Sequence, residues 1–107
     1  VPFRRMISEE FGETNWLDID ILKNNISGLN YDFLLVDAGA DRVGIYDNIN
    51  LFKTNIPIIF DDTMVKKYLK CAQLLSTKLN KSLETFHCKQ NKYCVSWWSG
   101  KKYSLLQ

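Results

Sequence analysis

The chain contains no Gly-x-Gly. Its glycines, Gly12, Gly28, Gly39, Gly44 and Gly100, are scattered. A backbone loop that cradles a phosphate or a nucleotide-like cofactor needs clustered glycines, so that the main chain can approach the ligand. No such loop can be drawn here. Cysteine is also scarce. Cys71, Cys88 and Cys94 leave an odd thiol and no Cys-x-x-Cys spacing, which excludes a zinc framework. His87 is the single histidine and has no acid at a fixed spacing. It reads as structural, not as the base of a Cys–His nucleophilic pair with Cys88. No apolar run approaches the length of a membrane helix, and no signal peptide is visible. The formal net charge of +2 is too small to argue for a nucleic-acid partner.

What remains is an ordinary globular composition, 46% apolar and 24% charged, over 107 residues. That suits a single domain over residues 1–107 with a modest core. The chain opens on Val1, which suggests a trimmed chain or a piece of something longer. A cytoplasmic location is expected, with Cys88 and Cys94 reduced although they flank a turn and could face each other. Cys71 falls on a helix as a small buried hydrophobe. Asn25-Ile26-Ser27 and Asn80-Lys81-Ser82 match the glycosylation sequon, a pattern short enough to arise by chance in an Asn-rich chain.

Two short apolar runs stop on acid. The first is Tyr31-Asp32-Phe33-Leu34-Leu35-Val36-Asp37, the second Ile56-Pro57-Ile58-Ile59-Phe60-Asp61-Asp62. Such runs suit strands buried on both faces of a parallel sheet. Between them, Asp41 caps a stripe of Ile45, Tyr46, Ile49 and Phe52 that predicts a crossover helix. Earlier in the chain, Val1 to Ile7 reads as a short edge strand and Ser8 to Thr14 as polar loop. From an Asn15 cap, Leu17, Ile21, Leu22, Ile26 and Leu29 recur at helical spacing, with Gly28 and Asn30 as a stop. After the second run a long helix is predicted from Thr63 to Asn80. The period then changes to two, and Leu83–Cys88 and Lys92–Trp98 read as a hairpin turning at Gln90-Asn91. The tail from Ser99 carries no clear pattern.

The order helix, strand to Asp37, helix, strand to Asp61-Asp62, long helix and closing hairpin resembles the C-terminal half of a class I S-adenosylmethionine-dependent methyltransferase. The resemblance covers residues 15–98 and rests more on order than on any one motif. It implies an α/β fold, a partial Rossmann-like three-layer sandwich whose parallel strands are followed by an antiparallel C-terminal hairpin. It implies methyl transfer from S-adenosylmethionine, with this chain carrying the acceptor-side half of the site. The Gly-rich turn that normally receives the cofactor is missing, so no cofactor-binding residue can be assigned. The competing reading is a non-catalytic Rossmann-like binding or interaction module that lacks the cofactor half.

Ligands of open α/β sheets bind beyond the carboxyl ends of the strands, which puts both acidic clusters on one rim. In the metal-dependent O-methyltransferases of the resembled family, an acid after one strand and an acidic pair after the next hold a divalent ion. Asp37, Asp61 and Asp62 match those positions, so Mg²⁺ is a candidate cofactor. The plainer alternative is that Asp62 caps the helix beginning at Thr63 and Asp37 only ends its strand. Asp61 is the candidate general base, or a metal ligand if an ion binds. Arg42 either clamps an anionic substrate or pairs with Asp37 or Asp41. Tyr46, one turn on, reads as core. The acceptor expected is a small molecule, a phenol or a sugar.

Lys89, Lys92, Lys101 and Lys102 alternate with Tyr93, Trp97, Trp98 and Tyr103. That mixture can make a nucleic-acid surface, but an edge hairpin protected by lysines is the expected reading. A phosphorelay receiver domain is rejected, because there the acidic pair comes before the single acid.

Overall fold

Exposed residues alternate with more buried ones from Arg5 to Ser8 and from Glu13 to Trp16, as a hairpin packed on one face requires. The structure is a computed structural model that describes residues 1–37, 41–87 and 100–107. Strands β1 (Phe3–Ser8) and β2 (Gly12–Leu17) pair antiparallel, with Met6 opposite Thr14 and Arg4 opposite Trp16. β1 lies where an edge strand is expected. β2 replaces the expected polar loop and the start of the expected helix. Thr14 and Trp16 face inward from it, both buried.

Helix α1 (Ile19–Ile26) therefore begins later than the Asn15 cap predicts. Its N-cap is Asp18, whose carboxylate accepts from the amides of Asp20 and Ile21 at 3.0 and 3.2 Å. Strand β3 (Leu34–Val36) and strand β4 (Ile58–Asp61) are adjacent and parallel, as the two apolar runs predict.

The connection between them is not the predicted α-helix. It holds two 3₁₀ turns, Arg42–Ile45 and Ile49–Leu51. One cause is visible at Asn48, whose side-chain amide donates to the Gly44 carbonyl at 3.0 Å. An α-helix would offer that carbonyl to the Asn48 backbone amide, which instead donates to Ile45 at 3.1 Å. The β-branched Val43, Ile45 and Ile49 add little helical preference.

Helix α2 (Lys66–Leu79) ends on Asn80 in the left-handed conformation, φ 53°, a common helix stop. Strands β5 (Leu83–His87) and β6 (Lys102–Leu106) follow. The four-stranded sheet has the order β3-β4-β6-β5, and β6 runs antiparallel to both of its neighbours. A C-terminal antiparallel pair is thus present, but it joins β5 to the tail. The predicted second hairpin strand, Lys92–Trp98, lies outside the described residues, as do Cys88 and Cys94.

One face of the sheet carries Val36, Ile58, Phe60, Ser104 and Leu106, all buried, against Cys71, Ala72 and Leu75 of α2. Within that core the Ser104 hydroxyl bonds Thr63 and Thr85, both at 2.8 Å. On the other face Leu35 is 53% and Tyr103 40% exposed, so a covering layer is not seen at those positions. Over the described residues the architecture is a small mixed α/β fold with two sheets and two helices. Among the described residues, no helix is long and apolar enough to cross a membrane.

The β1–β2 hairpin meets the crossover where Gly44, in the first 3₁₀ turn, lies against Trp16. A Cβ added at Gly44 would fall 2.9 Å or less from three atoms of that side chain. Gly44→Ala is expected to cost about 3 kcal/mol of stability, since a buried indole held by β2 has little room to retreat. Urea unfolding measures it, and a loss under about 0.5 kcal/mol would show that Trp16 is not held tightly against the crossover.

Candidate functional site

Because β3 and β4 are parallel and in register, their carboxyl ends lie side by side. Asp37 follows the first, Asp61 closes the second and Asp62 comes next. One carboxylate oxygen from each of Asp37, Asp61 and Asp62 lies within 4.8 Å of the others. The backbone at Asp62 is left-handed, φ 59°, a conformation Asp tolerates better than most residues. That turn swings the Asp62 side chain toward the Arg42 guanidinium.

Arg42 reaches the cluster from the first 3₁₀ turn, its side chain only 10% exposed. Its Nη1 donates to Asp62 Oδ2 at 3.2 Å and to the Asp61 carbonyl at 3.1 Å, and lies 3.4 Å from Asp37 Oδ1. The guanidinium stacks over the Tyr68 ring of α2 at 4.5 Å. Its Nε is buried without a hydrogen-bond partner among the described residues. Lys101, which precedes β6, completes the cluster at 3.2 Å from Asp61 Oδ2 and 3.1 Å from Asp62 Oδ1. Three carboxylates thus meet two cations.

The candidate residues Asp37, Arg42, Asp61 and Asp62 are brought together. Asp41 is not among them, because its carboxylate binds Lys67 Nζ at 2.7 Å. Asp62 does not cap α2 through its side chain: the N-cap position is Val65, and Asp62 offers only its carbonyl to the Val65 amide. Tyr46 packs edge-on against Phe11 and beneath Lys78, away from the acids. His87 ends β5 opposite Lys102. Sequence reasoning placed Lys101 in a surface stretch and missed its role. Only the pairing of β6 with β4, which sets Tyr103 opposite Asp61, brings it to the rim.

Hydrogen bonds to Asp62 and then to Asp61 hold the Lys101 ammonium above the ordinary lysine pKa. A raised folded-state pKa stabilises the fold below the unfolded value and loses that stabilisation as pH climbs through the folded one. The wild-type urea midpoint is therefore expected to fall more steeply above about pH 10.4 than that of Lys101→Met. Parallel curves for the two proteins would detach Lys101 from the cluster. The Cys71 thiol, buried between α2 and the first 3₁₀ turn, is pushed up to about 12 by burial, which leaves it a neutral, unreactive hydrophobe.

The donor set is entirely hard carboxylate oxygen, the kind that Mg²⁺ and Ca²⁺ prefer. An ion held by all three acids would have to compete both with Lys101, whose side chain is 35% exposed, and with the buried Arg42, which pairs with Asp37 and Asp62. Comparison of the chain with protein-family models, with curated proteins and with solved structures found no match.

Proposed function

We propose that the rim built by Asp37, Arg42, Asp61, Asp62 and Lys101 is the acceptor side of an S-adenosylmethionine-dependent methyl-transfer site, in a partial Rossmann-like three-layer fold. The observation that carries this reading is the convergence of three carboxylates beyond the carboxyl ends of two adjacent parallel strands. The sequence α1, β3, β4, α2 also follows the order on which the resemblance rests, apart from the 3₁₀ crossover, while Lys92–Trp98 lies outside the described residues. The closing strand folds back between β4 and β5.

Asp61 takes the proton from the acceptor hydroxyl. Its Oδ2 is held by Lys101, while its Oδ1 accepts no hydrogen bond from a described residue. Arg42 and Lys101 orient the carboxylates. When bound, Mg²⁺ would be held by Asp37, Asp61 and Asp62 and would lower the pKa of the hydroxyl. The acceptor class is a small phenol or sugar, handled in a cytoplasmic setting.

The chain's own residues do not fit S-adenosylmethionine. Gly12, Gly28 and Gly100 are isolated turn residues with positive φ, and Gly44 is filled by Trp16, so none of the described glycines forms a cradle. In this reading the cofactor would be held by residues outside this chain. Calorimetric titration of this chain with S-adenosylmethionine is expected to show no binding below millimolar. Micromolar affinity would mean that β1 and β2 supply contacts which stand in for the missing loop.

The second reading is a non-catalytic binding module. It is favoured by the pairing of all three carboxylates with Arg42 and Lys101, which leaves a closed ion cluster. Titration of the ¹⁵N-labelled chain with catechol or methyl glucoside, with and without Mg²⁺, separates the two. Acceptor binding should shift the amides of Asp37, Asp61, Asp62 and Lys101, and Asp61→Asn should abolish the shifts in a folded protein. Absence of any shift at this rim would leave the module reading.

A further inference from the structure

At the other end of β3, before Leu34, lie two cavities that share Ile26, Leu29 and Tyr31 as walls. The larger, about 580 Å³, has Lys23 and Lys53 among its walls and no Asp or Glu. The smaller, about 240 Å³, is lined mainly by apolar groups and holds the rings of Tyr31, Phe33 and Phe52. Both volumes are measured on an open surface, yet the larger falls in the range of small-molecule sites. Apolar cavities of about 150 Å³ already hold a benzene ring.

Neither lysine has a carboxylate partner among the described residues. The Lys53 ammonium is held at 3.1 Å by the Tyr31 carbonyl and at 3.4 Å by Asn30 Oδ1, both neutral acceptors. A lysine ammonium has three donors, so one remains for a ligand. Its position is fixed further, since the Tyr31 hydroxyl accepts the Lys53 backbone amide at 2.8 Å and the ammonium sits 5.2 Å from the Tyr31 ring. Tyr31 therefore anchors the cation on one side and forms a wall of the apolar cavity on the other. Phe33 and Leu29 are 55% and 58% exposed beside it, an apolar surface with no described cover.

We infer that these adjoining cavities bind a small aromatic anion, its ring between Tyr31, Phe33 and Phe52 and its phosphate or carboxylate on Lys23 and Lys53. Charge complementarity selects the anion, and the three rings select a flat apolar body. The site lies at the opposite end of β3 from Asp37, and the inference does not depend on the methyl-transfer reading.

The test is a ¹⁵N NMR titration of the full chain with phenyl phosphate, with inorganic phosphate and phenol as separate arms. Shifts are expected at Lys23, Gly28, Tyr31 and Lys53, with phenyl phosphate binding at least about tenfold tighter than either fragment. Lys53→Gln and Lys23→Gln should each weaken phenyl phosphate about fivefold. The Lys23 variant guards against a folding defect, because no described contact depends on that side chain. Phe33→Ala should weaken phenyl phosphate and leave inorganic phosphate unchanged. Inorganic phosphate binding as tightly as phenyl phosphate would overturn the aromatic half of the assignment. Shifts confined to the acidic rim, or none at millimolar ligand, would overturn it altogether.

Discussion

Arg42→Met is expected to lower the unfolding free energy by about 2–3 kcal/mol, although it substitutes one long side chain for another of similar reach. Breaking a buried pair by removing one partner costs 3–5 kcal/mol in general, because the remaining charge stays behind uncompensated; the figure here is discounted to about 2–3 for the exposure of the acids. Asp37 is 48% exposed and regains water readily, whereas Asp62 is 24% exposed and held in a left-handed turn. Arg42 also ties three segments at one nitrogen: the end of β3, the end of β4 and the turn into α2. The measurement is urea unfolding of wild type, Arg42→Met, Asp62→Asn and the double variant. If the cluster acts as a unit, the two single losses will exceed the double loss by about 1 kcal/mol or more. Strict additivity would show that Arg42 does not contribute through Asp62.

Phe60→Ala should have the largest effect of any single truncation on the sheet, about 4 kcal/mol, enough to leave a domain of this size partly unfolded. Phe60 is fully buried and faces the side on which α2 packs. Leu35→Ala removes as much aliphatic bulk as a typical core truncation, yet Leu35 points to the opposite face and is half exposed. Its cost should stay below about 1 kcal/mol. The contrast tests the one-sided core directly. Equal losses at the two positions would mean that the second face is covered as firmly as the first.

The two apolar runs ending on acid were sufficient to predict a parallel pair and a shared rim, because strand direction alone decides where Asp37 and Asp61 emerge. Other elements were hidden for identifiable reasons. β2 is hidden because Gly12, Glu13 and Thr14 look like loop and Asn15 like a helix cap, and only the inward alternation of Thr14 and Trp16 marks a strand. The crossover kept the apolar spacing of a helix, but Asn48 diverts the Gly44 carbonyl through its side chain, a competition that periodicity cannot register. Asp62 was weighed as a helix cap because it sits where caps occur, and its real partners, Arg42 and Lys101, are 20 and 39 positions away along the sequence. Lys101 itself could be placed only once β6 was paired with β4.

The position of β6 sets the order in which this sheet can be completed. β4 and β5 are joined by α2 and point the same way, yet among the described residues they share no ladder and meet only through β6, which is made after both. A nascent chain that has synthesised everything up to His87 therefore carries an open slot, with the inner edges of β4 and β5 unpaired. Closing it requires contacts more than 40 residues apart between Ile58 and Leu106, a slow kind of step. Until then those two edges can accept a strand from another molecule, and dilution or a chaperone that shields them would raise the yield of the folded protein.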